Sequence, residues 1–272
     1  VFERSLIAAL GDNETTSSVA YNLRAVRNAA SSVRERLSFE HWNLIVRAQE
    51  EHAQAFAMLE DQGDYAALDA LDILKVTGQH MAAITGSQTD RMTRDDGWRL
   101  LSIGRHIERL GFLSNALALG LESGSVYNDA GFEAMIALFD STISFRAHFQ
   151  QNREIVALVD LLVLNRDNPR SLAWVAHTLR GRLAKLAGSE PNELSPMSLQ
   201  VPNPADWTLA TLCQVAPAET DIDPCGAAQE QTTMPALLAV LEQCSQTAYE
   251  ISELVSATYF THSGEAERSV GM

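Results

Sequence analysis

The stretch Arg94–Leu121, RDDGWRLLSIGRHIERLGFLSNALALGL, decides the fold. It contains no Pro. It opens on Asp95 and Asp96, which suit the positive end of a helix, and Gly120 lies near its close. Trp98, Leu101, Arg105, Glu108, Phe112, Asn115 and Leu119 recur every three or four residues, which draws one line along a helix. We read residues 94–121 as the longest helix of the chain, with that line facing a core. Arg105 and Glu108 then stand where apolar residues belong, Arg109 lies one turn on along a neighbouring ridge, and Gly104 leaves room beside them.

Helical punctuation continues on both sides. Residues 2–10 read as the end of a helix begun earlier, and 11–18 as a loop in which Ser17 or Ser18 caps the next helix. Val19, Leu23, Val26, Ala30, Val33 and Leu37 form its apolar stripe. Further helices are expected at Phe39–Glu60, at Tyr65 to about Ile84 after Gly63, at about 130–150 and at 154–164, with a polar turn at 86–90. Asn168-Pro169 reads as a helix start, Asn capping and Pro in the first turn, with that helix running to about Ala187. Six of the eight prolines lie between Pro191 and Pro224, so 188–235 is expected to be a loop-rich insertion whose one short helix is Trp207–Cys213. Pro235 opens the last helix, which ends near Phe260, and the tail past His262 is expected to fray. No strand alternation or internal repeat is visible. The expected fold is all-α: a bundle of about seven to nine helices with a long Pro-rich loop before the last, forming one domain over 1–272.

Composition narrows the function. The chain has 272 residues, 46% hydrophobic and 20% charged, enough for a substantial core. Acids number 35 against 20 bases, and the net charge of −15 disfavours nucleic acid and anionic lipid surfaces. The longest apolar stretch, 155–164, is broken by Asp160 and is too short to span a bilayer. Cys213, Cys225 and Cys244 have no zinc-like spacing, and the odd count fits a reducing, cytoplasmic setting. All the bases but Lys75 and Lys185 are Arg, which suits carboxylate pairing, although genomic base composition explains the skew equally well.

Several chemistries lack their parts. There is no Walker loop, no GxGxxG, no GxSxG, no His-Glu-x-x-His and no Glu-x-x-His. His41, His52, His80, His106, His148, His177 and His262 are scattered and read as exposed or singly bonded, so no metal site is expected. Glu108 acting as a general base has neither nucleophile nor cofactor motif beside it, and no catalysis by this chain alone is expected.

The charges on and around the long helix are the remaining signal. An unpaired buried charge costs several kcal/mol, so Arg105, Glu108 and Arg109 must be paired or wet. Arg27, Arg34 and Glu35 lie along the first long helix. Arg170 falls in the expected first turn after Pro169, where a cation opposes the helix dipole unless an anion is near. Asp140, Arg146 and Ser171 complete the candidates. Two readings stay open: an ion-pair network that fixes the bundle, or a polar pocket whose Arg forks hold a carboxylate, peptide or phosphate.

These same residues carry a resemblance. Gly104-Arg105-His106-Ile107-Glu108-Arg109 resembles the Glu-Arg motif of the bacterial alpha-E domain family. The likeness extends to Arg24–Ala29, to Val33-Arg34-Glu35, to Trp42, to Asn168-Pro169-Arg170-Ser171-Leu172 and, loosely, to Thr258-Tyr259-Phe260. Asp140–Arg146 is most similar to the form fused behind a circularly permuted ATP-grasp module. In that family a first Glu-Arg helix normally precedes the segment seen here, and its lack implies either an N-terminally incomplete fragment or a trimmed fold. The resemblance implies a non-catalytic helical module that works with an ATP-grasp carboxylate–amine ligase, fused or separate. It would position a peptide or amino-acid substrate or dock the ligase, with ATP and Mg held only on the ligase. Oligomerisation is left open, and the alternative is an assembly or dimerisation domain whose Arg–Glu network serves stability alone.

Overall fold

The computed structural model of the chain describes residues 2–15, 17–62, 66–150, 152–190, 193–215 and 233–260. Among them are twelve α-helices and no strand, so the fold is all-α. Gly63, Tyr65, Cys225, His262 and the tail lie outside the described residues. Two compact units are present, Val1–Arg94 and Asp95–Met272. Among the described residues no helix is long and apolar enough to cross a membrane.

The first unit holds α1 (Phe2–Leu10), α2 (Val19–Ser32), α3 (Phe39–Gln62) and α4 (Ala67–Asp90). Ser18 caps α2 by accepting from the Tyr21 amide. The α2 stripe buries Leu23 and Ala30 against Ile45, Ala48 and Ile84. It does not run on to Leu37 as one helix. Ser32 turns its hydroxyl back to the Asn28 carbonyl, and a 3₁₀ turn at Arg34–Arg36 follows. Val33 is consequently exposed. A second cluster joins Ile7, Phe56, Leu59 and Ala70. The polar turn expected at 86–90 is instead the last turn of α4, where Ser87 is buried.

The second unit is built round α5 (Asp96–Glu122), capped by Asp95 through the Trp98 amide. Then come α6 (Asp129–Leu138), α7 (Thr142–Phe149) and α8 (Ile155–Val159), which runs into a π turn at Asp160–Leu164. These are followed by α9 (Leu172–Leu186), α10 (Pro196–Gln200), α11 (Leu209–Leu212) and α12 (Pro235–Tyr259). Helices α9 and α12 pack along α5. The core-facing residues of α5 are Ile103, Ile107, Leu110, Leu117 and Leu121, all buried. This overturns the expected register beyond Trp98, which is buried. Leu101, Phe112 and Leu119 are exposed, at 37%, 56% and 67%. Helix α5 carries two apolar lines, and its packing partners select the one that holds no charge.

Three further expectations are corrected. The single helix over 130–150 is two, broken at Phe139-Asp140-Ser141, where Asp140 takes a positive φ of 45°. Helix α9 starts later than Asn168: Ser171 is its cap, accepting from the Trp174 amide, while Asn168 closes the preceding turn by accepting from the Arg170 amide. The described part of 188–235 holds a second short helix, α10, besides the one expected near 207–213. Ser198 and Val201 are fully buried, and Arg180 of α9 donates to the Val201 carbonyl while accepting from Ser198 at its own.

Candidate functional site

Five of the expected site residues line one cavity of the second unit, about 620 Å³ in volume. They are Arg105, Glu108, Arg109, Asp140 and Arg170, joined by Phe112, Leu113, Leu138 and Phe139. Helix α5 presents three of the charges because its core line is Ile103–Ile107–Leu110; positions 105, 108, 109 and 112 therefore share the opposite side of the helix. The break after α6 supplies the rest. Left-handed backbone at Asp140 is tolerated because Asp is among the residues that adopt it most readily. It brings the Asp140 carboxylate to 2.5 Å from Arg170.

The charges are unevenly matched. Arg170 has Asp140. Arg109 reaches the Pro169 carbonyl at a long 3.5 Å. Burial, then the nearby Arg170, hold the Arg109 guanidinium below its usual pKa; burial, then Arg109, do the same to Arg105. Both remain charged near neutrality, because an arginine starts far above that range. The dipole reasoning for Arg170 does not hold, since that residue precedes the Ser171 cap and lies outside the helix.

The other expected residues have separate settings. Arg146 lines a different cavity of about 500 Å³ with Glu133 and Arg153. Ser171 is buried as a cap, and its hydroxyl donates to the Asn165 carbonyl. Arg27, Arg34 and Glu35 belong to the first unit. There Arg27 meets Gln49 at 2.5 Å and Glu50 at 3.3 Å. Arg34 donates to the Leu37 carbonyl and lies 5.3 Å above the Trp42 ring. Glu35 is exposed. Leu138 and Phe139 were missed. Their sequence signal was slight: two apolar residues immediately before the acidic corner. Among the described residues no three His, Cys, Asp or Glu side chains gather as a metal site.

His106 is buried next to the site's arginines, with Nδ1 2.6 Å from the Ser102 carbonyl and its ring 5.6 Å from Trp174. Burial pushes its pKa below 6.5; the Ser102 bond opposes this, and Arg109, Arg182 and Arg105 reinforce it. Burial also lowers His41 and His52, the latter opposed by its bond to the Leu10 carbonyl. These three are therefore core histidines rather than surface ones. The unfolded chain takes protons near pH 6.5 while the folded chain does not, so stability is fully present above that pH and falls as pH drops below it. Thermal unfolding from about pH 7 to pH 5 is expected to show a falling midpoint, with a shallower fall in His106→Gln. A flat midpoint across that window contradicts the assignment.

A family model described as a predicted alpha-helical domain with a conserved ER motif matches residues 2–260. Among curated proteins, the chain is 26% identical over 182 residues to an uncharacterized protein of Mycobacterium tuberculosis (strain ATCC 25618 / H37Rv), a match covering 65% of this chain and 20% of that one. An uncharacterized protein of Mycobacterium bovis matches with the same figures. The chain thus spans about a fifth of the length of the curated relatives it matches. No solved structure matches it.

Proposed function

Because the chain belongs to the Alpha-E family, we propose that it is a non-catalytic helical module working with an ATP-grasp carboxylate–amine ligase. In this reading it positions a peptide or amino-acid substrate or docks the ligase, and ATP and Mg stay on the ligase. The observation that carries the reading is the cavity at the Glu-Arg helix, where three arginines converge from α5 and from the turn before α9. Arginine forks recognise carboxylates bidentately, and a carboxylate is the group such a ligase activates. The relatives support a modular role, since the matched segment is a small part of a much longer chain there.

A competing reading takes the cluster as a structural network, and the Asp140–Arg170 pair favours it. One experiment separates the two. Arg105→Ala/Glu108→Ala protein is compared with wild type for folding, peptide binding and stimulation of the ligase it accompanies. The module reading expects an unchanged unfolding midpoint with binding or stimulation cut about tenfold, the cost of a lost charge-assisted fork. Unchanged ligation, peptide binding and ligase association in folded double-variant protein reject it. A large loss of stability instead favours the network.

A further inference from the structure

Among the described residues that line it, the cavity's charges do not balance. Three guanidiniums, Arg105, Arg109 and Arg170, face two carboxylates, Glu108 and Asp140. One positive charge is left over, in a chain whose net charge is −15. The surplus has an address. Arg170 holds Asp140 at 2.5 Å. Among the described residues no carboxylate pairs with Arg109, whose polar contact is the 3.5 Å approach to Pro169. The charge that acts on it is another cation, Arg170. Arg109 is exposed to the cavity, and an added anion relieves a guanidinium placed beside another cation in this way.

The opposite character of the cavity is apolar. Phe112 and Leu138 are 56% and 50% exposed, large faces to leave in water, and Leu113 and Phe139 are buried behind them. A volume of about 620 Å³ lies in the range of sites that hold small ligands.

We propose that this cavity binds the terminal carboxylate of a peptide whose last side chain is apolar. Arg109 takes the carboxylate, and Phe112 and Leu138 take the side chain. The inference rests on the peptide-positioning reading and adds to it the end of the peptide and its residue class. A surplus of one positive charge matches a monoanion better than a dianionic phosphate.

The test is calorimetric titration of the full chain with acetyl-Ala-Ala-Leu, its C-terminal amide, acetyl-Ala-Ala-Asp and inorganic phosphate. The Leu acid is expected to bind, with the amide and the Asp acid each about tenfold weaker and phosphate failing to compete. Arg109→Gln is expected to weaken the Leu acid about tenfold at an unchanged unfolding midpoint, because Arg109 has little to lose in the fold. Equal binding of acid, amide and Asp acid overturns the inference and leaves peptide positioning standing. Phosphate binding that outcompetes the Leu acid and is lost in Arg109→Gln also overturns it, in favour of a general oxyanion site. Binding of no peptide overturns the inference together with peptide positioning by this cavity.

Discussion

Asn168→Ala is expected to lower the unfolding free energy of the second unit by about 3 kcal/mol. Asn168 is 7% exposed, and its side chain ties three segments together. The amide nitrogen donates to Ser141 Oγ at 3.3 Å and to the Leu161 carbonyl at 3.2 Å; the amide oxygen accepts from the Arg170 backbone at 3.1 Å. Each bond is worth about 1 kcal/mol net, and truncation also leaves buried partners without their bonds. The effect reaches the site, since Asp140 adjoins Ser141 and Arg170 is the residue whose amide is held. Denaturant unfolding followed by circular dichroism measures the loss. A change below about 1 kcal/mol shows that Asn168 is not the tie described. Weaker binding in Asn168→Asp, which keeps the acceptor and loses the donor, would separate positioning from capping.

Gly131→Ala is expected to cost about 2 kcal/mol, although the same change in an open helix gains up to about 1 kcal/mol. Gly131 sits in the first turn of α6, where its amide donates to the capping Asn128. A Cβ there overlaps the Ser125 carbonyl group and lies 2.7 Å from its carbon, so backbone must move. Gly104 supplies the contrast. Outside the backbone of its own helical turn no described heavy atom lies within 4 Å of a Cβ built at Gly104, and Gly104→Ala is expected to be stabilising. The two melting curves should shift in opposite directions. A Gly131→Ala protein as stable as wild type would mean that the turn at Ser125–Tyr127 yields freely.

How much of this was legible depended on whether local sequence or tertiary packing decided the outcome. Ser18 announces its helix because a cap acts within three residues, whereas Asp95, read as a first-turn residue, is the cap of α5. The register of α5 was not legible. Leu101, Phe112 and Leu119 compete on equal terms with Ile103, Leu110 and Leu117, and only the arrival of α9 and α12 settles which line is buried. The break at Asp140 was hidden for a related reason: Phe132, Met135, Ile136 and Phe139 keep a helical period right up to the corner. In the cavity, Arg105, Glu108, Arg109, Asp140 and Arg170 could be named in advance. The physical reasons offered for them could not stand. The charges line an open cavity rather than a core line, and Arg170 precedes its helix rather than opposing it.

Cys244 lies on the buried side of α12, 0% exposed, and burial pushes its thiol up to about 12. A thiol reagent attacks only the thiolate, so this sulfur is chemically silent while α12 stays seated on α5. Cys213 is only partly covered, and its thiol is raised by burial and by Asp160 to a lesser degree. The pair therefore forms a clock built into the chain. Cys213 keeps time for the surface, and the slow labelling of Cys244 counts how often the longest helices of this unit part company.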